Sequence, residues 1–286
     1  MDTVKAAGPW VVGLENDQSA ALLFGAQQAV RMHTALRVVH VYSLPVPLLD
    51  EPLAADVVAH FVSEGDEKLE AARRVLAAYD GRIPLEFVLI EGVIVDVLLD
   101  QSADASGLVL GPDDIPWYDK LFLGATTQAI AKATPCPLVV VPPDSVPLGP
   151  AGVPTVLIDG RTDAAAALRF AFEAARQGSG RLHVLHVMGE SVSAREVDEH
   201  IASVNEVLAG WRSEYLEVEV TTSIAMGDLG ASALVASQHA SMIVMGHEHR
   251  KGFPYSLSRS QALAIIKRSD CPVAIVPAAL SVVDGR

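Results

Sequence analysis

EGVIVDVLLDQSADASGLVLGPDDIPWYDKLFLGATTQAIAKATPCPLVVVP, residues 91 to 142, aligns without a gap on MGDLGASALVASQHASMIVMGHEHRKGFPYSLSRSQALAIIKRSDCPVAIVP, residues 226 to 277, at a constant offset of 135. Gly92 meets Gly227, Gly111 meets Gly246, Lys132 meets Lys267, and Cys136-Pro137 meets Cys271-Pro272. A repeat of this length means that one structural unit occurs twice. Upstream the copies still correspond with small gaps: VVGLEN at 11 to 16 answers VLIDG at 156 to 160, and VVHVYS at 38 to 43 answers VLHVMG at 184 to 189. Between them PPDSVPLGPAGVP, residues 142 to 154, carries prolines and glycines that continue neither a helix nor a central strand. The expected division is a first domain over 1–143, a linker over 144–153 and a second domain over 154–286.

Each copy reads as five strands alternating with four helices. The runs Trp10 to Leu14, Arg37 to Tyr42, Leu85 to Ile90, Gly107 to Leu110 and Leu138 to Val141 are nearly continuous apolar stretches, the pattern of strands buried on both faces of a parallel sheet. Leu69, Ala72, Leu76 and Tyr79 in the first copy, and Ile201, Val204, Leu208 and Trp211 in the second, recur at spacings of 3, 4 and 3 and predict one buried helix face each. Strands alternating with helices imply βαβ crossovers and a doubly wound α/β fold. Ligands in such sheets bind beyond the carboxyl ends of the strands, where strand order reverses, so the loops after strands one and four are the candidate site.

Composition narrows the function classes. The 286 residues are half apolar, with 35 acidic against 21 basic side chains and a net charge of −14. Residues 1 to 150 carry −11 of that charge and residues 151 to 286 only −3. The acidity argues against nucleic acid or an anionic membrane as partner. No apolar stretch approaches the ~20 residues of a membrane span. MDTVKAAGPW leads directly into strand one, so no secretory leader is expected, and two cysteines suit a reducing cytoplasm.

The loops after strand four differ between the copies. The first carries Asp113, Asp114 and Asp119 before Gly124-Ala125-Thr126-Thr127; the second carries His247, His249, Arg250, Lys251 and Arg259. Cations attract a phosphate that carboxylates repel, so an anionic ligand favours the second copy. The plain alternative for either loop is a capped helix start with solvated charges. His247-Glu248-His249 lacks the further ligands a zinc site needs. His40 and His186 recur inside second strands and are expected to be satisfied core histidines, and Cys136 and Cys271 to be buried apolar filler. Trp117 and Tyr118 either pack the first loop or stack on a base. No GxxxxGK[ST], G-x-S-x-G, HExxH or GxGxxG pattern is present, so catalysis is not expected, with slow ATP hydrolysis as the open alternative.

These markers together, above all Gly111 and Gly246 and the junctions AIAKATPCPLVVVP and AIIKRSDCPVAIVP, make the chain resemble a tandem universal stress protein. The resemblance implies two Rossmann-like (adenine nucleotide alpha hydrolase-like) domains, each a five-stranded parallel sheet flanked by helices. It further implies that the fifth strands pair antiparallel across the two domains or across subunits, as an intramolecular pseudo-dimer or a homodimer of tandem chains. The family holds members that bind ATP, with magnesium, and members that do not. The binders keep a Gly, two residues, a Gly, nine residues, then Gly followed by Ser or Thr. The first copy offers Gly111, Asp114, Gly124 and Ala125, with Thr126 next; the second offers Gly246, His249, Arg259 and Ser260. Neither keeps the motif. The acidic residue after strand one is Glu15 in the first copy and Asp159 in the second, the latter the usual residue of binding members.

The resemblance therefore implies candidate nucleotide residues Asp159, Gly160, Val187, Gly246, His249, Arg259 and Ser260 in the second copy. In the first they are Glu15, Val41, Gly111, Gly124 and Thr126. No metal ligand set is expected, and the function implied is a cytoplasmic, non-catalytic regulatory or binding module of the stress response. The alternative is an adenine-nucleotide sensor that uses the second copy.

Overall fold

A computed structural model describes residues 8–16, 18–44, 55–111, 125–145, 152–158, 164–188, 193–247 and 259–278. The chain divides into two compact units, Met1–Pro143 and Asp144–Arg286.

The first unit contains β1 (Trp10–Leu14), α1 (Ser19–Met32), β2 (Leu36–Tyr42), α2 (Ala55–Leu76), β3 (Leu85–Glu91), α3 (Ile94–Ser102), β4 (Gly107–Leu110), α4 (Ala125–Ala133) and β5 (Leu138–Val140). Its strands are parallel in the order β3-β2-β1-β4-β5. α1 packs with α2, and α3 with α4, which gives a sheet between two helical layers. The apolar runs form this sheet because the helices exclude water from both of its faces: Val11, Val12, Val38, Leu108 and Val109 are fully buried. Each such side chain stabilises the fold by about 1.5–3 kcal/mol.

The second unit repeats the plan with β6 (Pro154–Ile158), α5 (Ala165–Arg176), β7 (Arg181–Met188), α6 (Ala194–Glu214), β8 (Glu219–Met226), α7 (Leu229–Ser237), β9 (Met242–His247), α8 (Arg259–Arg268) and β10 (Val273–Pro277). Its parallel order is β8-β7-β6-β9-β10. Phe172 of α5, fully buried, stacks on Trp211 of α6 at 5.7 Å and packs against Tyr215 at 5.1 Å.

The predicted helix faces hold with two exceptions. α2 buries Leu69, Ala72 and Leu76 but ends there, so Tyr79 sits in a short 3-10 turn. On α6, Val204 and Leu208 are buried whereas Ile201 is 37% exposed. One position earlier His200 takes the inward place, its ring stacked on buried His186 at 5.2 Å. The helix-to-strand junctions are the same device twice: Thr134 Oγ1 donates to the Cys136 carbonyl at 3.1 Å and Ser269 Oγ to the Cys271 carbonyl at 2.8 Å.

Candidate ligand-binding site

Strand order in the first unit reverses between β1 and β4, and a cavity of about 260 Å³ opens at the carboxyl ends of β1, β2 and β4. Glu15, Val41, Gly111 and Thr126, four of the five residues expected from the first copy, line it. Gly124 lies outside the described residues, as do Asp113, Asp114, Asp119, Trp117 and Tyr118. The remaining wall is largely apolar, from Leu14, Val39, Ile94, Leu98 and Leu110. That combination of an apolar body and a few convergent polar groups suits a small organic ligand.

Two polar lining residues, His40 and Gln18, were not among the candidates. His40, buried on β2, donates from Nδ1 to the Leu14 carbonyl at 2.7 Å, which ties β2 to the end of β1. Burial, only partly offset by that hydrogen bond, holds its imidazole below the ordinary range, so the ring is neutral at pH 7. Gln18 immediately precedes α1, yet its side chain does not cap the helix. Instead it lies across Gly111: a Cβ built there would meet Gln18 Cδ at 2.7 Å. Its Oε1 is buried and, among the described residues, has no hydrogen-bond partner. A buried acceptor left unpaired costs about 1–3 kcal/mol, which a ligand donor would recover. The available signal in the sequence was position: Gln18 follows strand one, in the loop already singled out.

The second unit is described less completely at the same place. Asp159, Gly160 and His249 lie outside the described residues, as do Glu248, Arg250 and Lys251. Val187 stands on β7 and Gly246 on β9, and Arg259 and Ser260 open α8. Gly246 is exposed, and among the described residues a Cβ there would meet Ala167 Cβ alone, at 3.7 Å, an ordinary contact. Among those residues nothing fills its space as Gln18 fills that of Gly111. His186 donates from Nδ1 to the Ile158 carbonyl at 3.0 Å, as His40 does in the first unit, and its Nε2 accepts from His200 Nδ1 at 3.2 Å. Both cysteines are buried; desolvation pushes the Cys271 thiol up to about 11 and raises that of Cys136. Thiols of that kind are poor nucleophiles at neutral pH. Among the described residues no group of three or more His, Cys, Asp or Glu side chains could hold a metal ion. None of the described helices is long and apolar enough to cross a membrane.

Fold and site together define a tandem α/β protein with a ligand cavity at the switch point of strand order. The Universal stress protein family model matches residues 11–142 and again 155–277, and the chain belongs to that family. It is 24% identical over 296 residues to universal stress protein Rv1996 of Mycobacterium tuberculosis, covering 93% of each chain. It is also 24% identical to universal stress protein Rv2623 of the same organism, covering 95% of this chain and 97% of that one. The crystal structure of a universal stress protein from Archaeoglobus fulgidus superposes with a TM-score of 0.73 at 19% identity, over 96% of this chain and 97% of that one. A putative universal stress protein from Pseudomonas aeruginosa gives 0.65 at 12% identity, over 96% and 94%. At those identities the structural matches speak to fold alone.

Proposed function

We propose that this tandem universal stress protein is a non-catalytic regulatory module of the stress response, acting in the cytoplasm, whose first unit reads a small ligand. The observation that carries this reading is the switch-point cavity, with its apolar wall and the unpaired Oε1 of Gln18. The ligand chemistry that fits is a flat, largely apolar body bearing N–H or O–H donors, as in a nucleoside. The carboxylates of Asp113, Asp114 and Asp119 in the adjoining sequence act against a triphosphate there.

Adenine nucleotide with magnesium belongs instead to the second copy, where Asp159, His249, Arg259 and Ser260 supply the side chains. Assembly follows from the fifth strands. Within its own unit each has one strand neighbour, β4 for β5 and β9 for β10, and the pairing expected from the sequence, including a homodimer of tandem chains, uses the other edge.

Calorimetric titration of the full chain with adenosine, and separately with magnesium ATP, tests the proposal. Adenosine binding that weakens about tenfold in Gln18→Met supports the first-unit site, since one lost hydrogen bond is worth about that much. No heat with adenosine overturns the first-unit reading, and no heat with magnesium ATP overturns the second. Phosphate release with magnesium ATP above a buffer blank overturns the non-catalytic assignment.

A further inference from the structure

The duplicated chain supplies its own comparison at a second place, on the sheet face covered by α3 in the first unit and by α7 in the second. β1 pairs Val11 with Arg37 and β6 pairs Thr155 with His183, which puts Arg37 and His183 at equivalent positions. The offset of 135 matches Gln101 with Ala236 and Asp104 with His239. Glu86, beside Arg37, is answered by Thr221 beside His183. In the first unit this place is filled. Arg37 Nε donates to Glu86 Oε2 at 2.7 Å, its Nη1 donates to Gln101 Oε1 at 3.2 Å, and Nη1 lies 3.6 Å from Asp104 Oδ1.

In the second unit all four side chains have changed, and a cavity of about 620 Å³ opens between α7 and the face of β6, β7 and β8. That volume is in the range of small-molecule sites, roughly 300–1,000 Å³. Its two ends differ in chemistry. His183 and His239 stand where the first unit has its ion pairs, with Thr155 beside His183, whereas Leu185, Ile224 and Val235 line the rest. His183 is fixed in place, Nδ1 at 3.3 Å from Thr155 Oγ1 and Nε2 at 2.9 Å from Ser223 Oγ. Val235 is 66% exposed although apolar, and α7 (LGASALVAS) has no charged residue to turn toward solvent.

We propose that this cavity is a second ligand site that takes a small organic acid, its aliphatic or aromatic body on Leu185, Ile224 and Val235 and its carboxylate at His239 and at whichever hydroxyl, Thr155 or Ser223, accepts the His183 N–H and so keeps its own proton to donate. Among the described residues the lining contains no carboxylate that would compensate a cationic ligand. The polar end offers imidazole and hydroxyl donors, and the position held by the acid Asp104 in the first unit holds an imidazole here. That reversal favours an anion over a neutral polar group. The site lies under α7, with Val153 and Thr155 at the start of β6 in its lining, and is separate from the switch-point cavity.

The test is amide NMR of the full chain titrated with benzoate, hexanoate and, as neutral counterpart, benzamide. Saturable shifts at the amides of Ser223, Ile224, Ala225 and Val235 are expected for both acids, with benzamide at least about fivefold weaker. In His183→Arg/Ala236→Gln/His239→Asp, which restores three of the four side chains of the first unit, the acids should bind at least about tenfold more weakly. The single exposed change His239→Asp leaves the cavity open and should weaken the acids alone. No saturable shift by about 10 mM, where a millimolar site would be filled, overturns the proposal. So do equal binding of benzamide and benzoate, or acid binding unchanged in His239→Asp.

Discussion

Trp10 and Gly107 show how single residues set the core. They are register partners on β1 and β4, and a Cβ on Gly107 would come within 2.5 Å of the Trp10 ring. The corresponding pair in the second unit is Pro154 with Met242, small where the first is large and large where it is small. Each copy conserves the volume between its central strands by a reciprocal exchange, which hydrophobic patterning alone would not reveal. Gly107→Ala should cost about 1–3 kcal/mol, because the buried indole has nowhere to move. Gly246→Ala, with its nearest neighbour among the described residues at 3.7 Å, should be close to neutral. Urea unfolding of both variants checks the contrast, and equal midpoints would contradict it. At this scale the family resemblance named Glu15, Val41, Gly111 and Thr126, and they line one cavity. Gln18 escaped that resemblance, because whether a glutamine caps a helix or folds onto a glycine is decided by packing.

Among the elements, α6 begins with a signal legible in the sequence and continues with one that is not. Ser193 and Glu196 form a capping box: Glu196 N–H donates to Ser193 Oγ at 3.4 Å, and Ser193 N–H donates to Glu196 Oε2 at 2.7 Å. The Ser-x-x-Glu spacing is sufficient to predict this. Ser193→Ala should therefore destabilise the second unit by about 1 kcal/mol, seen as a lowered thermal midpoint, and a shift within error would remove the cap from the account. One turn further, the apolar period points Ile201 inward, yet His200 takes that place because buried His186 offers its Nε2 as a hydrogen-bond acceptor. A polar partner on the sheet thus overrides a helical pattern that counts only apolar residues.

For the whole molecule, two partly desolvated imidazoles set the response to acid. His40 and His183 both have pKa values lowered from 6.5, with desolvation as the leading cause. A group whose folded pKa is depressed contributes stability above its unfolded pKa and loses it as pH falls through the folded value. The urea midpoint should therefore decline from about pH 7 toward about pH 5, before the carboxylates titrate. Glu173, held low chiefly by its hydrogen bond from Arg176, adds a further loss only below 4.5. His40→Gln should flatten part of the first decline. A midpoint that does not change from about pH 7 to about pH 5 would contradict the assignment.

The duplication and the parallel sheets were written in the sequence, because strand burial, helical period and an ungapped offset of 135 are one-dimensional signals. So was the charge imbalance between the copies. Tertiary structure alone decided what the side chains do in three dimensions. Gln18 buries an unpaired acceptor on Gly111, and a network around Arg37 fills one copy where His183 leaves the other open. The physical reason is that cavities and hydrogen-bond satisfaction depend on which atoms meet across elements distant in the chain, and a repeat fixes the places of those atoms without fixing their chemistry.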